Sequence, residues 1–128
     1  MNRPLLEKEI EKRVCDYSAS KGWLVYKFTS PARHAVPDRL FIAPGGRVIF
    51  CEFKCTGQKP TVPQEREHAR MRAQGVAVYV VDNVDAGKMM VDLCLNTSSF
   101  LQAFMFFNIM LFLRLSAIPK SPFTNLTK

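Results

Sequence analysis

The residues best placed to do chemistry in this sequence are Asp38, Glu52 and Lys54. Alternate side chains of a strand share a face, so Glu52 and Lys54 point one way while Cys51, Phe53 and Cys55 point the other. A carboxylate and an ammonium in so apolar a strand are costly to bury without partners. Taken alone, they have a plain explanation in an internal ion pair or an exposed strand end. What lies opposite Glu52 decides whether there is more. Two strand-like runs, Asp38 to Ala43 and Arg47 to Cys55, flank Pro44-Gly45-Gly46, which is a strong hairpin signal. A three-residue connection pairs Ala43 with Arg47 and brings Asp38 opposite Glu52. A two-residue Gly45-Gly46 turn sets Asp38 opposite Phe53 and sends it to the other face. Both registers are open on sequence, and a bulge would alter either.

In the first register two like charges meet, and the common remedies are a shared proton or a divalent cation. Oxygen donors of this kind suit Mg²⁺ or Mn²⁺, with water filling the remaining positions. Such an ion polarises a phosphoryl oxygen and makes hydroxide available near neutral pH. Lys54 would then stabilise charge developing on the attacked phosphate, or help orient and deprotonate the water. Sequence does not separate those two roles.

The elements that must position these residues follow from periodicity. From Pro4 to Lys21, Leu6, Ile10, Val14 and Tyr17 recur at helical spacing, with Asn2 as a cap before Pro4 and Gly22 as the stop. Trp23 to Phe28 reads as a strand. Thr29 to Pro37, with two prolines, reads as an irregular loop. After the hairpin and a loop from Cys55 to Pro60, Thr61 caps a helix running to about Gln74, with Gly75 as its stop. Val76 to Asp82 is a nearly unbroken apolar run, as for a strand covered on both faces. A last helix starts at Asn83 or Val84. The order predicts an α/β domain around a small mixed sheet.

At 128 residues the chain suits a single domain. Its formal net charge of +7 favours an anionic partner, nucleic acid or anionic lipid. Residues 1–88 carry fifteen of the Lys and Arg and ten of the acids, against three and one in residues 89–128, so charged work is confined to the first part. Cys15, Cys51, Cys55 and Cys94 form no CxxC pair and no zinc-finger spacing, which predicts free thiols in a reducing cell. The charged N-terminus lacks a signal-peptide apolar run, and the expected location is cytoplasmic.

Val36-Pro37-Asp38, thirteen intervening residues, then Glu52-Phe53-Lys54 resembles the PD-(D/E)xK nuclease signature. The wider text resembles one branch, the VRR-NUC domain of virus-type replication and repair nucleases. The shared features are the first helix with Ile10-Glu11, Ser30-Pro31 before Val36-Pro37-Asp38-Arg39, and Pro44-Gly45-Gly46. Gly57-x-x-Pro60-x-x-x-Gln64 and Tyr79-Val80-Val81-Asp82 complete them. The resemblance spans about residues 5 to 90. It implies a restriction-endonuclease-like αβββαβ core, with a metal held by Asp38, Glu52 and the backbone carbonyl of Phe53, and with Lys54 catalytic. It also implies an acid from the first helix. Glu11, beside Ile10 at the edge of the apolar stripe, is preferred over Glu7, four residues earlier on the same side. Either also reads as a solvated helix face paired with Lys8, Lys12 or Arg3.

Gln64 is expected near the metal as an accessory residue, although Thr61-x-x-Gln64 also reads as a capping box. Lys27, Arg33, Arg39, Lys59 and Arg66 flank the motifs and are candidate phosphate contacts, which position a duplex without reading its bases. Each also reads as an ordinary surface charge. His34 lies in the proline loop, His68 reads as structural or solvated, and Trp23 with the strand aromatics reads as core.

Residues 1–92 are thus assigned to the nuclease domain and 93–128 to an apolar tail of unknown role. Its run at 100–113 is too short for a good membrane span, which needs about twenty residues, and suits burial or oligomerisation better. The expectation is a Mg²⁺- or Mn²⁺-dependent DNA endonuclease. The resemblance implies a homodimer acting on branched DNA in the manner of Holliday-junction resolvases, in replication, repair or recombination. The rival readings are a catalytically inactive DNA-binding or assembly module with the same fold, and a membrane-attached protein using the tail.

Overall fold

A computed structural model describes residues 3–95. Its elements are α1 (Glu7–Ser20), β1 (Leu24–Lys27), β2 (Arg39–Ile42), β3 (Val48–Phe53), α2 (Val62–Ala73) and β4 (Ala77–Val81). A third helix, α3, begins at residue 84 and is followed to residue 95. The four strands form one sheet in the order β1-β2-β3-β4, antiparallel between the first three and parallel between β3 and β4. This is the expected α/β architecture with a mixed sheet.

The Pro44 turn settles the register. Ala43 N–H donates to the Arg47 carbonyl at 2.8 Å, and Gly46 N–H donates back to Ala43 at 2.9 Å. Gly45 and Gly46 have φ of 94° and 89°, the left-handed region that residues with a Cβ adopt at a cost. Three residues therefore make the connection. Arg39 pairs with Cys51 and Phe41 with Ile49, so the next pair along places Asp38 opposite Glu52.

One sheet face, carrying Phe41, Ile49, Cys51, Phe53 and Val81, packs on Ile10 and Val14 of α1 and on Met90, Val91 and Cys94 of α3 to form the core. Each large apolar side chain buried there contributes roughly 1.5–3 kcal/mol. Tyr17 Oη bonds the Asp92 carboxylate at 2.9 Å and ties α1 to α3. Trp23 lies in the same core, as expected, with its ring edge on Phe41. On the other face α2 packs against β4, and Arg72 donates to the Val78 carbonyl at 2.7 Å.

Two features differ from expectation. Helix α1 begins at Glu7, not near Pro4, because Glu9 reaches back to the Leu6 N–H at 2.8 Å and pairs with Arg3, which fixes the terminus there. The expected cap, Asn2, lies outside the described residues. Strand β4 is an edge strand, buried on its two faces at Val78 and Val81 but leaving Val80 38% exposed, so the run is covered only in part. Of the tail, the described residues include only the end of α3, and the apolar run at 100–113 lies outside them. Among the described residues no helix is long and apolar enough to cross a membrane.

Cys15, Cys51, Cys55 and Cys94 form no disulfide, and Cys51 and Cys94 are buried. Burial pushes the half-buried Cys15 thiol up to about 11, with Arg39 opposing and Glu11 and Asp16 reinforcing the shift. Gly87 lets α3 approach its neighbours closely, since a Cβ there would lie 2.4 Å from Val14 Cγ2 and 3.1 Å from Val81 Cγ1. Gly87→Ala is expected to destabilise the fold by about 1–3 kcal/mol through overpacking, against a helix-propensity gain of about 1 kcal/mol. Urea denaturation of both proteins would show the net loss.

Candidate active site

The hairpin and α2 converge on Glu52. Its side chain is 1% exposed, and Oε1 receives both Lys54 Nζ, at 2.7 Å, and Gln64 Nε2. Lys54 arrives there because it follows Glu52 by two residues on the same sheet face. Gln64 arrives because Thr61 caps α2: Thr61 N–H donates to Gln64 Oε1 at 2.9 Å, which leaves the amide nitrogen free to reach Glu52. Capping and site contact are thus performed by opposite ends of one amide group.

Asp38 sits just before β2. Its Oδ2 accepts the Phe53 N–H at 3.0 Å, beyond the last laddered pair of the hairpin. That bond ties the Asp38 carboxylate to the backbone next to Glu52. Burial raises the Glu52 carboxyl above its ordinary range, the Lys54 contact lowers it, and the charge of Asp38 raises it further. Burial lowers Lys54, but its bond to Glu52 and the charges of Glu52, Glu7 and Asp38 outweigh that and hold it above the usual lysine value.

The two helix acids part company. Glu11 accepts from Arg39 Nε at 2.5 Å, on the face that carries Cys51, and does not join the Asp38, Glu52 and Lys54 group. Glu7, in the first turn of α1, is the helix carboxylate whose charge bears on both Glu52 and Lys54. The sequence signal was ambiguous because the two residues share a helix side. What separates them is their surroundings in the fold, Arg39 for Glu11 and the charges of Glu52 and Lys54 for Glu7.

His68 is the residue that sequence reading undervalued. It is 1% exposed, not solvated, and its Nε2 lies 3.9 Å from Glu52 Oε2. Its position four residues after Gln64, and so on the same side of α2, was the available signal. Burial holds its pKa below the usual histidine value, helped by the charges of Arg72 and Lys54.

The basic candidates are scattered. Arg39 is engaged by Glu11, and Arg33 lies 3.6 Å from Glu67, which also holds Arg70. Lys27 lines a cleft of about 450 Å³ with Lys8, Lys12 and Arg39. Lys59 and Arg66 are exposed, as is His34. Asp82 anchors the loop after β3, accepting the Gly57 N–H at 3.0 Å.

A mixed four-stranded sheet with helices on both faces, and an acid opposite a Glu-x-Lys strand, has the architecture of a PD-(D/E)xK nuclease. No family model matches the chain. It is 44% identical over 88 residues to "Putative nuclease p44" of Acyrthosiphon pisum secondary endosymbiont phage 1, covering 69% of this chain and 95% of that protein. A solved structure described as "VRR_NUC domain" matches with a TM-score of 0.64 and 32% identity, over 67% of this chain and 94% of that one. A second, "VRR_NUC domain protein", shares the fold at a TM-score of 0.58 and 16% identity, over 70% and 88%. The chain belongs to the VRR-NUC domain family.

Proposed function

We propose that this protein is a divalent-metal-dependent DNA endonuclease. The observation that carries the reading is Glu52: one oxygen is held by Lys54 and Gln64, while the other, Oε2, is buried with no hydrogen-bond partner. An ionised carboxylate with a bare buried oxygen is costly unless a cation or a hydrogen-bond donor takes it up, and a cation can share that oxygen with a donor. The donors fit a hard ion. No group of three or more His, Cys, Asp or Glu forms a cage among the described residues, and Mg²⁺ characteristically takes one or two carboxylates and keeps several waters.

Asp38, Glu52 and the Phe53 carbonyl would hold the ion, which supplies Lewis-acid stabilisation of the phosphoryl oxygen and activation of water. Asp38, anchored by the Phe53 N–H, has its other oxygen available for this. Lys54, held by Glu52, places an ammonium where negative charge accumulates during attack on the phosphodiester. Gln64 fixes the Glu52 carboxylate. Lys27, Arg33, Lys59 and Arg66 are the exposed candidates for backbone phosphates, whereas Arg39 serves to hold Glu11.

The test is incubation of purified protein with labelled four-way junction, flap, nicked and linear duplex DNA in Mg²⁺, Mn²⁺ or EDTA. Cleavage restricted to the metal lanes, strongest on a branched substrate, is the expected result. Cleavage in EDTA would refute the metal role. Binding without cleavage in any lane would favour an inactive module.

Homodimer formation belongs to the same proposal. On the sheet face that carries Glu52, β1 and the start of β3 present Leu24, Tyr26 and Val48, which are 55%, 50% and 44% exposed. Helix α2 packs on β4 and leaves that area open. An apolar patch continuous with the site suits a second copy, which would set two sites on one branched substrate. Leu24→Lys is expected to convert a dimer to a monomer in light scattering, with the circular dichroism unchanged.

A further inference from the structure

We propose that His68 is a positioning residue for Glu52, its Nε2–H holding the carboxylate Oε2 so that Glu52 presents a fixed oxygen to the cation. This deepens the metal-dependent reading of the site and rests on it. Two buried polar atoms at the site lack partners, Glu52 Oε2 and His68 Nε2, and they face each other at 3.9 Å. They are complementary when the proton sits on Nε2, since one is then a donor and the other an acceptor. A side-chain shift of about 1 Å closes the gap to hydrogen-bond length.

Helix α2 thus delivers two donors one turn apart to the two oxygens of one carboxylate, Gln64 Nε2 to Oε1 and His68 Nε2 to Oε2. A carboxylate oxygen has a second lone pair, so the His68 bond leaves room for a cation on Oε2. A histidine placed there for packing alone would be replaceable by leucine. Leucine would leave Oε2 bare and Glu52 held at one end only. Groups that orient a metal-binding side chain in this way typically change metal affinity about 10–100-fold.

The experiment is calorimetric titration of the full chain with Mn²⁺ alone, for wild type, His68→Leu and His68→Gln. The expected result is affinity about 10–100-fold weaker in His68→Leu, largely restored in His68→Gln, whose amide nitrogen reaches the same place. Wild-type affinity in His68→Leu, or equal loss in both variants, would overturn the inference while leaving the metal reading intact. Absence of Mn²⁺ binding by wild type would overturn both. Nitrogen NMR of the wild-type imidazole gives a check that does not depend on how the variants fold. A proton on Nε2 is expected, and a proton on Nδ1 alone would overturn the assignment.

Discussion

Asp38→Asn is expected to leave the protein folded and to lower DNA cleavage about a thousandfold. The substitution keeps the shape and the carbonyl oxygen that can accept the Phe53 N–H, at present held by Oδ2 at 3.0 Å. It removes the charge that pairs with a cation. Lewis-acid stabilisation of a phosphoryl transition state amounts to several kcal/mol, and each 1.4 kcal/mol or so is tenfold in rate, which gives the thousandfold figure. Lys54→Ala is expected to cost about 10²–10³-fold in kcat, the range for removing one group aimed at developing charge. Unlike Asp38→Asn it also reaches the fold, because Glu52 would lose a cation 2.7 Å away while remaining 1% exposed. Breaking a buried pair from one side costs about 3–5 kcal/mol, so activity must be measured below the lowered melting temperature. Single-turnover cleavage of the preferred substrate, with circular dichroism on the same samples, separates the two effects. Cleavage within about tenfold of wild type by either variant would remove the catalytic role.

The hairpin register was the part of this site that sequence could reduce to a single question. Pro44-Gly45-Gly46 allowed two connections, and the difference of one residue decided whether Asp38 met Glu52 or turned away. The ladder decides it, because Ala43, not Pro44, closes the pair with Arg47. Strand identity and the Thr61 cap were equally legible, since each depends on neighbours a few residues apart. The exposed apolar area over β1 and the start of β3 was not, because alternation marks which residues share a face but not which face lacks a covering helix. Nor was the burial of His68, which depends on how α2 meets β3 and β4. The edge position of β4 escaped for the same reason, as an apolar run reads alike in the middle of a sheet and beside a helix.

The helix acid is where local pattern carried least. Glu7 and Glu11 differ by about one turn and share a helix side in the sequence, but their surroundings differ in the fold. Glu7→Gln is expected to lower cleavage about 10–100-fold, the usual effect of removing a charged partner of a metal site, with little change in stability. Its charge bears on Glu52 and Lys54, raising both pKa values. Removing it therefore alters the field at the two residues proposed to hold the ion and to meet the phosphate. Glu11→Gln is expected to do the reverse. Glu11 and Arg39 form a partly shielded pair at 2.5 Å, with side chains 21% and 27% exposed. Its loss should cost roughly 1–3 kcal/mol, between the values for surface and buried pairs, while activity per folded molecule stays near wild type. Measuring kcat and the urea midpoint for both variants tests the assignment in two dimensions. Loss of activity in Glu11→Gln with Glu7→Gln unaffected would return the helix acid to Glu11. It would also require α1 to turn about its axis when DNA binds, carrying Glu11 off Arg39 and toward Glu52.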